Sequence, residues 1–225
     1  MLKENVLNIL NEISSGNDRG EKITLVAATK TVNAETINQA ISYGVQVVAE
    51  NRVQEFREKT ELLAPCRQHF IGHLQTNKVK YVVGKVELIH SVDSLRLAQA
   101  INDRAANLGV VQGVLLEINA GEEESKSGFS FSEIQESVYR AAELKNTRVK
   151  GLMAMFPAAS EREYIAELCE KTRAIYDGLK KEGFDFDYLS MGMSEDYKIA
   201  IAHGSNTIRL GTALFGKRNY GGNNL

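Results

Sequence analysis

The chain of 225 residues is 43% hydrophobic and carries 27 basic and 29 acidic side chains, for a formal net charge of -2. That length and apolar content fit one α/β domain with a full core, and the interspersed charge offers no basic face for a phosphate backbone, which argues against nucleic-acid binding. Cys66 and Cys169 stand far apart without C-x-x-C spacing, which argues against a disulfide framework or a zinc site and for a reducing, cytoplasmic setting.

Val6, Leu7, Leu10 and Ile13 recur at helical spacing ahead of Ser14-Ser15-Gly16, predicting an amphipathic N-terminal helix that serves as a lid. Lys3, Glu4 and Glu12 interrupt its apolar residues, unlike a signal peptide, and no later run is long enough to span a membrane. Strands are then expected at 24–29, 45–50, 69–72, 87–91, 114–119, 149–155, 188–192 and 207–210. Helices are expected between them at 33–43, 94–107, 130–144 and 161–180, with Gly44, Gly109 and Gly183 as stops. Runs such as Leu25-Val26-Ala27-Ala28 and Val114-Leu115-Leu116 are apolar on both faces, as parallel strands under helices must be. About eight strand-helix units predict a closed (β/α)8 barrel of the TIM type, one domain over residues 1–216, with a doubly wound open sheet as competitor. Residues 217–225, with Gly221-Gly222-Asn223-Asn224, read as a loose tail.

Three places could carry chemistry. Lys30 ends the first strand and shares a face with Val26 and Ala28; if that face is the barrel interior, its amine sits at the catalytic rim. Partial desolvation favours a lysine's neutral form, which attacks an aldehyde, so Schiff-base chemistry is feasible; the alternative is a lysine extending into water. On the last strand Arg209 points inward with Thr207 and Gly211, and its acceptor is a pyridine nitrogen, a ligand carboxylate, or Glu117, which faces inward with Asn119. Finally, Ser190-Met191-Gly192-Met193-Ser194 leads into the segment 195–202 with Ser194 placed as its N-cap. Together with Gly211 and Thr212 it reproduces the phosphate pocket that barrels build after strands seven and eight, provided Glu195 and Asp196 point away.

Several stretches in order resemble the pyridoxal phosphate homeostasis protein family, whose fold is similar to the N-terminal barrel of alanine racemase. They are Leu25-Val-Ala-Ala-Thr-Lys30-Thr31, Ala49-Glu-Asn51-Arg-Val-Gln-Glu55, His69-Phe-Ile-Gly-His-Leu-Gln-Thr-Asn-Lys78, Ser125-Lys-Ser-Gly-Phe129, Gly151-Leu-Met-Ala154, Leu189-Ser-Met-Gly-Met-Ser194 and Ile208-Arg-Leu-Gly-Thr-Ala-Leu-Phe-Gly216. Ala49 stands where the family commonly has Gly, and Phe156 is inserted before Pro157. The resemblance implies pyridoxal 5'-phosphate (PLP) as cofactor, joined to Lys30, with Asn51 and Met153 beside it. Ser194, Gly211 and Thr212 would hold the phosphate within the loops of Ser190 and Gly192, and Arg209 would face the pyridine nitrogen.

An arginine at that nitrogen disfavours its protonation and leaves the ring a poorer electron sink. No second, all-β domain follows Gly216 to bring an opposite-face base, which favours a monomeric protein that binds, buffers and delivers PLP, with PLP-requiring apo-enzymes as recipients. Two alternatives stay open. A small racemase or lyase needs an acid-base residue across from Lys30, for which His73, His203 or a rim tyrosine are the candidates. A regulatory protein would act through a protein partner, docking by the rim, the N-terminal helix or the tail.

Overall fold

Alternating apolar strands and capped helices close into a ring. The computed structural model describes residues 1–123, 127–157 and 160–216; the tail read at 217–225 lies outside the described residues. Its strands are β1 Thr24–Ala28, β2 Val47–Glu50, β3 Arg67–Phe70, β4 Leu88–Val92, β5 Gln112–Asn119, β6 Thr147–Met155, β7 Tyr188–Ser190 and β8 Thr207–Leu210. All pairings are parallel, and β8 returns to β1 through Leu25 with Ile208 and Val26 with Arg209, so the ring has no free edge. This excludes the open sheet.

The helices are α1 Leu2–Glu12, α2 Ala34–Ser42, α3 Val53–Lys59, α4 Leu95–Leu108, α5 Ile134–Ala142, α6 Arg162–Lys181, α7 Tyr197–Ala202 and α8 Thr212–Phe215. Their ends follow local chemistry: Asn33 caps α2 by accepting from Thr36 N–H, Ser94 caps α4 by accepting from Leu97 N–H, and Gly109 ends α4 in the left-handed region. Between β3 and β4 the chain makes only the 3-10 turn Thr76–Tyr81. No helix among the described residues is long and apolar enough to cross a membrane.

Side-chain alternation along each strand divides the core in two. Outward residues such as Ile89, Leu116, Leu152 and Leu189 pack under Leu97, Ile101, Ile134, Leu168 and Tyr176 of α4, α5 and α6. Inside the ring, Val26, Val47 and Ala49 form one group and Leu88, Leu115 and Met153 another.

Two expectations are corrected. The N-terminal helix is not a lid: Val6, Ile9 and Ile13 pack on Leu25, Ala27, Ile208 and Leu210, which point out of the barrel wall. Asn5 Nδ2 also donates to Leu214 O at 3.0 Å. The reason is that α8 has four residues and cannot cover the outside of β8 and β1, so α1 takes that place. Nor does Ser194 cap the following helix. The Asp196 carboxylate accepts from Met193 N–H at 2.5 Å, forming a turn that delays the helix to Tyr197.

Candidate functional site

Inward positions recur every second residue, so the last of them on each strand, or the first beyond it, builds the floor of the upper rim. Ala28 on β1 and Lys30 after it, Asn51 after β2, Ile71 after β3, Met155 on β6, and Arg209 and Gly211 at β8 line one cavity of about 700 Å3. Ser194, Tyr197 and Thr212 join it from the last two loops, and so do Glu195, Asp196 and Lys198, so the two acidic residues stand in the lining instead of outside it, with the Lys198 cation beside them.

Lys30 projects into this cavity without a hydrogen bond or ion pair to any described residue. Its backbone is held on both flanks. Thr31 has a φ of 64°, unusual for a β-branched residue, and its N–H donates to Glu55 Oε2 at 2.6 Å. Lys59 Nζ donates to Thr29 O at 3.1 Å and joins Glu50 at 2.8 Å and Glu55 at 2.7 Å. Burial raises the Glu50 carboxyl above its ordinary value despite Lys59. Burial also pushes Glu55 upward, but Lys59 and the Thr31 amide stabilise its anion more and leave it lowered. Beside them, Gly72 lets the β3 loop press on Asn51, since a Cβ there would lie 1.9 Å from Asn51 O. Asn51 Oδ1 is buried with no partner.

Arg209 is buried, and its two terminal nitrogens are committed to the protein: Nη1 to Ser190 O and Oγ, both at 2.8 Å, and Nη2 to Ala154 O at 3.0 Å. The contact ion pair with Glu117 considered from sequence does not form within 4.0 Å. Burial pushes the guanidinium down to about 10, partly offset by the fields of Glu117 and Asp196. Burial, reinforced by the nearby Asp93 carboxylate, pushes Glu117 up to about 7. Below Arg209 a buried polar chain crosses the barrel: Ser190 Oγ meets His90 Nδ1 at 3.1 Å, and His90 Nε2 meets His69 Nδ1 at 2.9 Å. His69 Nε2 then faces Glu87 Oε2 at 3.9 Å. Burial holds both imidazoles neutral at physiological pH, His69 at about 4 and His90 well below its ordinary value.

At the other end of the cavity, Ser194 Oγ accepts from Ala213 N–H at 3.1 Å and, more weakly, from Gly211 N–H at 3.4 Å. Its own proton has no acceptor among the described residues and is free for a ligand. Gly192, with a φ of 94°, lets α7 sit close, because a Cβ would come within 2.8 Å of Tyr197 Cα and Ala200 Cβ.

Lys30, Asn51, Ser194, Arg209, Gly211 and Thr212 are therefore brought together; Ser190, Gly192 and Met153 are not among the lining residues. Ser190 reaches the cavity through Arg209, and Met153 lies one inward layer too deep, packed on Leu88 and Leu115. Met155, two residues further along the same face, is the methionine of the floor, and Arg209 Nη2 lies 3.3 Å from its sulfur. Strand alternation carried two positions beyond Met153 identifies it, as it identifies Ile71. Of the acid-base candidates, His73 Nδ1 pairs with Asp93 at 3.0 Å outside this cavity and His203 Nδ1 pairs with Glu170 at 3.0 Å. Tyr197 lines the cavity, with its hydroxyl on Glu12 at 3.2 Å. Cys66 and Cys169 are free thiols.

Residues 2–219 match the alanine racemase N-terminal domain family. The chain is 44% identical over 206 residues to the pyridoxal phosphate homeostasis protein of Aquifex aeolicus (strain VF5), covering 90% of both chains. It is 39% identical over 231 residues to the protein of the same name from Escherichia coli (strain K12), covering 97% of both. Its fold superposes with a TM-score of 0.85 on PipY of Synechococcus elongatus PCC7942 solved with PLP bound, at 28% identity, covering 96% of this chain and all of that one. The chain belongs to the pyridoxal phosphate homeostasis protein family, built on the alanine racemase N-terminal barrel.

Proposed function

We propose that this protein holds PLP as a Schiff base on Lys30 and serves the balance and delivery of that cofactor in the cytoplasm, and so vitamin B6 and amino-acid balance. The carrying observation is the Lys30 amine, unpartnered in a cavity whose far wall presents a free Ser194 hydroxyl proton with Gly211 and Thr212 beside it. The size and donor set fit a phosphorylated aromatic aldehyde, and a relative has been solved with PLP bound. Bound there, PLP supplies an aldehyde that condenses with an amine and a ring that withdraws electrons.

In this reading Ser194, Thr212 and the Gly211 amide hold the phosphate, and Asn51 and Met155 flank the ring. Arg209 lies toward the pyridine nitrogen; Ser190 fixes Arg209, Gly192 shapes the last loop, and Met153 supports Met155 from below. A guanidinium can only donate, so this environment keeps the ring nitrogen unprotonated and weakens carbanion chemistry. Carriage by a monomer, with PLP-requiring apo-enzymes as recipients, follows better than turnover.

The test is reduction of the purified protein with borohydride followed by peptide mass mapping. The cofactor's mass is expected on the Lys30 peptide, and the visible band is expected to vanish in Lys30→Ala. Label on another lysine, or none, would overturn the reading.

A further inference from the structure

The Lys30 cavity uses only part of two stretches that carry the family resemblance, Asn51 from one and Ile71 from the other. Their remaining polar residues converge outside Asn51. Arg52 and Gln54 from the first stretch, with His73, Gln75 and Lys78 from the second, line a separate open cavity of about 690 Å3. Arg57 and Tyr81 complete its wall.

The charges there are unbalanced. The Arg57 guanidinium lies 4.6 Å from the Tyr81 ring centroid, and Lys80 and Lys78 approach the same ring at 5.1 Å and 6.0 Å. None of these three cations has a carboxylate within 4.0 Å among the described residues. Arg52 reaches only Glu55, at 3.8 Å, and that carboxylate is already held by Lys59 at 2.7 Å. Glu58, also in the lining, accepts from Gln54 at 3.0 Å instead. Solvated long side chains that repel one another spread apart; here they gather on one ring, and an anion between them would relieve the repulsion.

We propose that this cavity is a second ligand site, for a small phosphorylated dianion or polyanion, with Asn51 as the wall it shares with the Lys30 cavity. Three lining cations, Arg52, Arg57 and Lys78, stand against the one lining carboxylate of Glu58, so a single carboxylate ligand would leave positive charge uncompensated. A phosphate ester or pyrophosphate compensates it. Stacking on Tyr81 orients the Arg57 fork for bidentate phosphate contact, and the Gln54 and Gln75 amides can add neutral donors. The site is independent of whether Lys30 carries PLP.

Inorganic pyrophosphate titrated calorimetrically into the PLP-loaded protein tests this, because the loaded cofactor pocket cannot take the probe. Saturable binding of one equivalent is expected, weakened roughly 10-fold or more in Arg57→Ala and in Lys78→Ala, as loss of a charge-assisted contact predicts. Both side chains are exposed, so the variants should fold and keep the visible band of the wild type. Acetate should not compete. The proposal fails if no saturable heat appears, or if both variants bind as wild type does. It also fails if binding is lost in Thr212→Val but retained in Arg57→Ala, which would place the anion in the cofactor pocket.

Discussion

Glu117 is the side chain whose ionisation the barrel opposes most visibly at neutral pH. Its folded value of about 7 stands above the ordinary 4.5, with burial first and the Asp93 field second. A raised carboxyl makes the folded state bind its proton more tightly than the unfolded chain does. The group therefore costs nothing below about 4.5, destabilises progressively from 4.5 to 7, and carries its full penalty above. Glu117→Gln should then gain about 1 to 3 kcal/mol at pH 8 and little at pH 4, measured as urea-unfolding free energies. A variant less stable than wild type at pH 8 would contradict this. At the phosphate wall, the free proton of Ser194 and the hydroxyl of Thr212 lead to a second expectation. Ser194→Ala and Thr212→Val should each weaken PLP retention by about 1 to 3 kcal/mol with the fold intact, and phosphate-free pyridoxal should bind far more weakly than the ester. Equal affinity for the two vitamers would rule out this pocket.

Among the elements, the strands were the most legible because fully buried parallel strands announce themselves as short apolar runs, and all eight lie within two residues of their expected ends. The same alternation put Lys30, Arg209 and Gly211 on the inner face. What periodicity does not carry is the partner of a buried face. The pattern of Val6, Ile9 and Ile13 says that α1 has an apolar side, but only the brevity of α8 directs that side to the wall instead of the mouth. Ser194 misled for a related reason: serine before a helix is a common cap, whereas here the three-residue reach from Asp196 back to Met193 delays α7, no side chain caps it, and Ser194 accepts from Gly211 and Ala213 N–H at the start of α8. Because α1 is structural, Ile9→Ala should cost about 2 to 5 kcal/mol of stability while leaving PLP affinity unchanged in the folded protein. Denaturant titration and cofactor titration of one sample separate the two effects, and a loss of affinity without a loss of stability would restore the lid.

At the scale of the whole molecule, the cavity opens on one end of the ring and the acid-base candidates face elsewhere: His73 toward Asp93, His203 toward Glu170 and the Tyr197 hydroxyl toward Glu12. Proton traffic at a bound amino acid would then come from Lys30 and not from these three candidates. Incubation with L-alanine in deuterated water should accordingly give at most slow α-deuterium incorporation without the D-isomer, read by chiral chromatography and mass spectrometry. Rapid formation of the D-isomer would sink the carrier reading. The buried chain below Arg209 has a direction as well as a length. The Glu87 carboxylate, 3.9 Å from His69 Nε2, favours the tautomer with the proton on that nitrogen, which leaves His69 Nδ1 to accept from His90 and His90 Nδ1 to accept the Ser190 hydroxyl proton. His90 is thereby the Nε2–H tautomer, donating to His69 Nδ1, and His69 in turn points its own Nε2–H at Glu87. The Ser190–His90 and His90–His69 bonds are thus aligned the same way, away from the ligand rim and toward Glu87. Reversing either requires reversing both, so the interior behaves as a poled wire, and nitrogen-15 spectra should find both imidazoles locked in a single tautomer while Glu87 stays in place.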